Sequence, residues 1–118
     1  MSAPNKPLKL LFDIVLCIDL LEQYTETVSD AEALNRNQEK IDAIERRFGI
    51  IGEATRQLQR LDVKVPQRDW IINFSNTLIH QYDATFSTTL LRHIREDLPA
   101  LREEVKVLMQ ELENPKAE

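Results

Sequence analysis

Three polar residues in the second half of the chain have types and a spacing that suit proton-transfer chemistry. Asn76 and His80 are four residues apart, so they share one face of a helix, and Tyr82 follows two residues later. An imidazole changes charge near neutral pH, and the C-terminal end of a helix favours its protonated form. A plainer interpretation is also open, in which His80 is a surface residue that caps the helix.

Residues 70–80 are predicted to form the amphipathic helix that positions this pair. Asp69 comes directly before the segment and is a residue type that caps helix N-termini. The apolar residues recur at three- and four-residue spacing: Trp70, Ile71, Phe74 and Leu78. We therefore expect one face to pack against a core while Asn76 and His80 lie on another.

The remaining sequence offers few other candidates for catalysis. It has no glycine-rich phosphate loop, no zinc-type cluster of Cys and His, and no Gly-x-Ser-x-Gly elbow. The second histidine, His93, lies between Arg92 and Arg95 and is interpreted as a surface residue.

Composition predicts an all-α protein with a single domain spanning residues 1–118. The chain has only two glycines and five prolines, too few turn formers for a β-meander. Five helices are predicted, at about residues 7–25, 37–60, 70–80, 87–96 and 99–111, with Asp97 and Pro99 dividing the last two. Residues 1–6 and 114–118 are expected to be flexible tails.

The first two predicted helices differ in their apolar patterns. In residues 37–60 the apolar positions form one regular seam: Ile41, Ile44, Phe48, Ile51, Thr55 and Leu58. In residues 7–25 the apolar stripe is wider than one neighbouring helix would cover, because it is extended by Leu8, Phe12, Leu16 and Leu20. We expect this extra surface to contact another subunit.

Both glycines, Gly49 and Gly52, fall inside the second predicted helix. Each costs about 1 kcal/mol relative to alanine in a helix interior, so the sequence must gain something from them. Close approach of another helix is the simplest explanation, and a hinge is the alternative.

Charge is unevenly distributed along the chain, whose net charge is -5. Residues 36–68 carry eight Lys and Arg against five Asp and Glu. This basic middle could serve a phosphate-bearing ligand, although a solvated helix face is the more common cause of such a pattern.

The single cysteine and the hydrophobic pattern favour a cytoplasmic protein. Cys17 has no partner for an internal disulfide and is interpreted as a small buried hydrophobe. The apolar run 8–21 is too short to cross a bilayer and contains Lys9, Asp13 and Asp19.

Three sequence blocks together resemble the HepT-like (DUF86) branch of the HEPN superfamily. They are Arg-Arg-Phe-Gly-Ile-Ile-Gly-Glu-Ala at 46–54, Asn-Thr-Leu-Ile-His-Gln-Tyr at 76–82 and Glu-Asp-Leu-Pro-Ala-Leu-Arg-Glu-Glu at 96–104. The resemblance extends from about residue 10 to 108. It implies an up-and-down bundle of four to five helices that forms a homodimer.

Members of that family resemble metal-independent RNases that act as toxins beside a nucleotidyltransferase-like antitoxin. The resemblance therefore implies RNA endonuclease activity with no metal or cofactor. The family motif is Arg-Asn-x-x-x-His-x-Tyr, in which the arginine would neutralise the scissile phosphate and the histidine would exchange protons with the ribose 2′-hydroxyl or the leaving oxygen.

Asn76, His80 and Tyr82 match this motif, but Ser75 stands in the position of the arginine. A neutral hydroxyl cannot replace a charged, forked donor, so a degenerate motif with weak or absent RNase activity is expected. The charge could instead come from Arg68, Arg92 or Arg95, either of the same chain or of a partner subunit. The alternative function is a non-catalytic subunit that binds the nucleotidyltransferase or a nucleotide.

Three side chains in these blocks are left with two interpretations each. Tyr82 resembles the tyrosine to which the partner nucleotidyltransferase transfers AMP, or it packs its ring on the helix end. Asn76 could orient His80 or bind a phosphate oxygen. Glu53 could pair with a basic residue on a neighbouring helix or orient His80.

Overall fold

A computed structural model describes the backbone of residues 5–78 and 84–114 and the side chains of residues 6–78 and 86–114. The predicted tails, residues 1–6 and 114–118, lie mostly outside these ranges, and so does the end of the third predicted helix, residues 79–80. Residues 5 and 6 belong to the first helix, so its predicted start at residue 7 is two residues late. Within them the chain is helical and contains no strand, which confirms the all-α prediction.

Six α-helices and one π-helical turn make up the described fold. The α-helices are α1 (Asn5–Thr25), α2 (Ala31–Asn35), α3 (Gln38–Arg60), α4 (Arg68–Thr77), α5 (Ala84–Arg92) and α6 (Leu98–Glu113), and the π turn His93–Asp97 joins α5 to α6. Two of the bounds match the prediction closely, since α1 ends at Thr25 and α3 ends at Arg60.

The centre of the fold is the packing of α1 against α3 and α6. Arg47 Nη1 on α3 lies 4.0 Å from the Sγ of Cys17 on α1. These two residues are separated from α2 by similar numbers of residues, one before it and one after it, so α3 runs back along α1. The predicted seam of α3 is buried at every position. Arg102 of α6 pairs with Asp19 and Glu22 of α1, which fixes the third helix of this group.

Side-chain caps begin the two helices after α1. An Asp30 carboxylate oxygen accepts a hydrogen bond from the backbone N–H of Ala33 at 2.8 Å, and the Asn37 side chain accepts one from Lys40 N–H at 3.0 Å. These bonds satisfy N–H groups that have no partner within the helix. The predicted start of the long helix near residue 37 is confirmed.

The predicted cap of α4 is wrong. Asp69 lies in the first turn of the helix, and the N-cap is Gln67, whose backbone has a φ of 65°. The Gln67 side chain accepts a hydrogen bond from Trp70 Nε1 at 2.7 Å and donates one to Glu104 at 2.9 Å. These two bonds hold the left-handed residue in place, and Asp69 still complements the positive end of the helix dipole.

The predicted break between the last two helices is also wrong. The chain stays helical from 84 to 113, and Pro99 sits in the first turn of α6 without interrupting it. A proline ring clashes with the carbonyl four residues earlier, here Arg95, and the wider π turn accommodates it. Asp97 does not cap α6, since its carboxylate lies 2.7 Å from His93 Nδ1.

The predicted start of the fourth helix at residue 87 needs the same correction, because α5 begins at Ala84. Ser87 lies inside the helix and is 1% exposed. Its hydroxyl donates to the side chain of Asn35, so it ties α5 to α2 instead of capping a helix.

His93 is buried, which overturns its interpretation as a surface residue. Its ring stacks on Trp70 with centroids 4.2 Å apart and an angle of 11° between the planes. Phe74 meets it edge-on at 4.7 Å and Phe48 at 6.4 Å. The π turn brings this ring into an aromatic cluster, defined as Phe48, Trp70, Phe74, Phe86 and His93, that connects α3, α4 and α5.

Burial of apolar residues is uneven along α1 and α6. On α1, Phe12 is 52% exposed and Leu16 is 43% exposed, as the width of the apolar stripe predicted. Along α6, burial falls from Leu101 and Val105, which are fully buried, to Leu112, which is 39% exposed. The end of α6 therefore extends past the core.

Cys17 is 2% exposed, and burial raises the pKa of its thiol above the usual value. A buried thiol that resists ionisation is a poor nucleophile, which confirms the interpretation of Cys17 as a small hydrophobe. Among the described helices, none combines the length and apolarity that crossing a bilayer requires.

Glu45 on α3 gives a stability prediction. Burial, with a smaller contribution from Asp42, raises the pKa of its carboxyl, and its Oε2 has no hydrogen-bond partner among the described residues. The native state therefore binds this proton more tightly than the unfolded chain, and its stability falls as the pH rises through the raised pKa. We expect Glu45→Gln to raise the Tm modestly at pH 7 but not below about pH 4.

The matched control is Glu96→Gln, which removes an exposed carboxylate from the π turn and should leave the pH dependence of the Tm unchanged. Thermal unfolding of both variants between pH 3.5 and pH 8 checks this expectation. A Glu45→Gln effect that is the same at every pH would contradict it.

Candidate active site

The structure describes only some of the predicted site residues. Ser75 and Asn76 lie at the end of α4, where Ser75 is half-buried and Asn76 is exposed. His80 and Tyr82 lie in the segment 79–83, outside the described residues. The structure therefore places the first half of the motif and the helix that leads into the second half.

The end of α4 lies directly against Gly52 of α3. A Cβ built on Gly52 would be 2.5 Å from the Cβ of Ser75, far inside van der Waals contact. This confirms close helix approach as the reason for Gly52. The same explanation is wrong for Gly49, because a Cβ there would meet nothing within 4 Å in the described part of the chain.

Arg56, one turn after Gly52 on the same face of α3, reaches both described residues of the motif. Its Nη2 donates to the hydroxyl of Ser75 at 2.9 Å and also to the side-chain oxygen of Asn76. Ser75 in turn donates its own proton to the carbonyl of Ile72 at 2.9 Å. A guanidinium from another helix thus contacts Ser75, the residue that stands in place of the motif arginine.

Glu53 completes the charged group around this guanidinium. Its Oε1 lies 3.5 Å from Arg56 Nη1, and its Oε2 lies 3.7 Å from Arg60 Nη2 and accepts from Gln57 at 3.3 Å. Among the described residues, the basic partners of Glu53 are therefore on its own helix and not on a neighbouring one. The other interpretation, in which Glu53 orients His80, involves a residue outside the described ranges. Two arginines share one carboxylate, so this side of α3 keeps a net positive charge.

The arginines named from the sequence as substitutes for the motif cation are arranged differently. Arg95 donates to the backbone carbonyls of Thr25 and Val28, at 3.3 and 2.6 Å. Arg68 begins α4, seven residues before Ser75, or about 10 Å along the helix axis. Arg56 was missed, and its signal in the sequence was the four-residue spacing from Gly52, which places both on one helix face.

Next to this polar group, α4 also packs on the aromatic cluster. Phe74 lies 5.1 Å from Phe48 and 6.1 Å from Phe86 between ring centroids. Phe74 immediately precedes Ser75, so the aromatic packing of Phe74 and the contact of Ser75 with Gly52 together fix the rotation of α4. That rotation presents Asn76 to solvent beside Arg56.

No group of three or more His, Cys, Asp and Glu side chains in the described ranges is arranged to hold a metal ion. The chemically distinctive feature of the site is instead an exposed amide beside a partly buried guanidinium, at the start of a segment that carries a histidine and a tyrosine. Amide and guanidinium N–H groups are donors that suit phosphate oxygens.

Comparison with known proteins agrees with this class of site. The model of the HepT-like ribonuclease family matches residues 14–108, so the chain belongs to that family. It is 28% identical over 101 residues to "Putative RNase MJ1380" of Methanocaldococcus jannaschii, covering 83% of this chain and 92% of that protein. It is 29% identical over 96 residues to "Probable ribonuclease HepT" of Thermococcus cleftensis, covering 78% and 86%. No solved structure matches significantly.

The contact between α3 and α4 gives a matched pair of glycine substitutions. Gly52→Ala should destabilise the protein by about 1–3 kcal/mol, because the new methyl group collides with Ser75 and pushes α4 away. Gly49→Ala meets open space and should stabilise the helix by up to about 1 kcal/mol.

Urea unfolding of both variants measures these differences. If Gly52→Ala were as stable as Gly49→Ala, the close contact at Ser75 would be refuted.

Proposed function

We propose that the protein is a metal-independent endoribonuclease that serves as the toxin of a toxin–antitoxin pair. The observation that carries this proposal is the exposed Asn76 side chain beside the Arg56 guanidinium, at the start of the Asn-x-x-x-His-x-Tyr segment in a HepT-like ribonuclease family chain. Support also comes from the two relatives, whose names describe them as ribonucleases.

In the proposed reaction, a ribose 2′-hydroxyl attacks the adjacent phosphorus and the bond from phosphorus to the 5′ oxygen breaks. The products are a 2′,3′-cyclic phosphate and a free 5′-hydroxyl. His80 takes the proton from the attacking hydroxyl or gives one to the leaving oxygen. Asn76 binds a phosphate oxygen or orients His80, and a cation balances the charge that builds up on the phosphate.

Ser75 favours a second candidate function. Since the motif arginine is missing, the chain could be a non-catalytic subunit that uses the same polar surface to bind a nucleotide or the nucleotidyltransferase. Both functions need the site to be accessible, and only the first needs His80 for a chemical step. Loss of cleavage on removal of the imidazole therefore separates them.

The proposal extends to regulation by a nucleotidyltransferase-like antitoxin. Transfer of AMP from ATP to the hydroxyl of Tyr82 would break the bond between the α and β phosphates and release pyrophosphate and the phenolic proton. It would leave a bulky phosphodiester anion two residues from His80 in the sequence. The added negative charge would repel the RNA backbone and the added volume would block the site.

Cleavage of a single-stranded RNA by the purified protein tests the catalytic step. We expect the wild type to yield 2′,3′-cyclic phosphate ends, and His80→Ala to cleave about 100-fold or more slowly because the proton-transfer group is gone. Tyr82→Phe should keep cleavage while losing the acceptor for AMP. A wild type that leaves RNA intact, or a His80→Ala variant as fast as the wild type, would contradict the proposed mechanism.

The exposed apolar residues of α1 generate a prediction about assembly. We propose that Phe12 and Leu16 are covered in a homodimer, because two large apolar side chains one turn apart are costly to leave in water. Sedimentation at micromolar concentration should show a dimer that Phe12→Ser/Leu16→Ser converts to monomer. A wild type that sediments only as a 13.7 kDa species would refute this arrangement.

A further inference from the structure

We infer that Arg56 is the phosphate-binding arginine of this site, so that the cation of the family motif has moved from α4 to α3. This inference rests on the proposed function and specifies it, because it names the group that would contact the scissile phosphate. It is carried by the contacts of one guanidinium with Ser75 and Asn76, the two motif positions that the structure describes.

Two features of the sequence make this placement possible. Gly52 has no side chain, so α4 approaches closely enough for Ser75 to lie within reach of a side chain from the next turn of α3. Arg56 is that side chain, and the short hydroxyl of Ser75 accepts its Nη2 hydrogen bond instead of competing for its space. An arginine at position 75 would bring a second guanidinium to the same place, where the like charges would repel.

The guanidinium keeps donors for a ligand. Its Nη2 donates to Ser75 and Asn76, and Nη1 lies 3.5 Å from Glu53. With respect to the described residues, the N–H groups on Nη1 and Nε are therefore available to a ligand. The Arg56 side chain is 30% exposed, so it is partly desolvated but reachable from solvent. A phosphate could therefore bind Arg56 in competition with Glu53, whose carboxylate is 54% exposed and also pairs with Arg60.

A purely structural role for Arg56, as a tie between α3 and α4, makes different predictions. A tie needs only hydrogen-bond donors, which a neutral glutamine amide also has. A phosphate clamp needs the positive charge, and its forked geometry makes lysine an incomplete substitute. Arg56→Gln and Arg56→Lys therefore separate the two roles, and thermal unfolding of each variant shows whether the helices stay packed.

The matched control is Arg36→Ala. Arg36 is exposed on another helix end and its ion-pair partner is Glu32, at 3.8 Å, so its removal changes the net charge of the protein by the same amount. A general loss of attraction for RNA would affect Arg36→Ala and Arg56→Gln equally. A site-specific contact affects only Arg56→Gln.

Two measurements are made on each variant. The first is the single-turnover rate at which it cleaves an RNA oligonucleotide. The second is the salt dependence of its binding to the 2′-deoxy oligonucleotide of the same sequence, which has no 2′-hydroxyl and so cannot be cleaved. We expect Arg56→Gln to cleave about 100-fold more slowly and Arg56→Lys to lie between it and the wild type. The slope of log binding constant against log salt should fall by about 0.7 for the lost phosphate contact, with Arg36→Ala unchanged in both measurements.

The outcomes distinguish this inference from the proposed function. If the wild type cleaves RNA and a folded Arg56→Gln has the same rate and salt slope, Arg56 is only a tie and the inference is overturned while the RNase proposal stands. If the wild type does not cleave RNA, the RNase proposal falls, and the salt slope alone decides whether Arg56 binds phosphate. An unchanged slope in that case overturns the inference too.

Discussion

The contact between α3 and α4 at Gly52 and Ser75 is the constraint on which the candidate site depends. It sets the distance between the two helices, and that distance determines whether Arg56 can reach Ser75 and Asn76. A wider separation would leave Arg56 paired only with Glu53 on its own helix. Because Gly52 has no side chain, α4 packs closely enough on α3 for Arg56 to contact residues of both helices.

The rotation of α4 depends also on its aromatic residues. Trp70 and Phe74 pack on His93, which reaches them because the π turn widens the helix before Pro99. The π turn before Pro99 therefore connects the buried His93 with the exposure of Asn76, through the packing of α4. A local helix distortion far along the chain helps to fix which face of α4 is presented to solvent.

Helix positions and the main core could be predicted from the sequence because both follow from local rules. The seam from Ile41 to Leu58 recurs at helical spacing, and Asn37 has the right side chain for a cap. The errors arose where tertiary contacts decided the outcome. The N-cap of α4 is Gln67 and not Asp69, because the Gln67 side chain is hydrogen-bonded to Trp70 and Glu104. Pro99 does not end the helix, because a π turn precedes it, and the spacing of apolar residues does not reveal such a turn.

The candidate site could be predicted in part for the same reason. Asn76, His80 and Tyr82 form a motif in the linear sequence, and Ser75 is visible as its departure. Arg56 lies 19 residues before Ser75, and nothing in the local pattern connects the two. Their relation appears only when Gly52 is understood as the point where α3 and α4 meet.

The most direct test of the central claim is an exchange of the two side chains, measured by single-turnover RNA cleavage. We expect Arg56→Ser to cleave about 100-fold more slowly than the wild type, and Arg56→Ser/Ser75→Arg to recover most of that loss, because the guanidinium returns to the same place from α4. If the double variant folds but stays as slow as Arg56→Ser, or if Arg56→Ser cleaves as fast as the wild type, Arg56 does not replace the motif arginine.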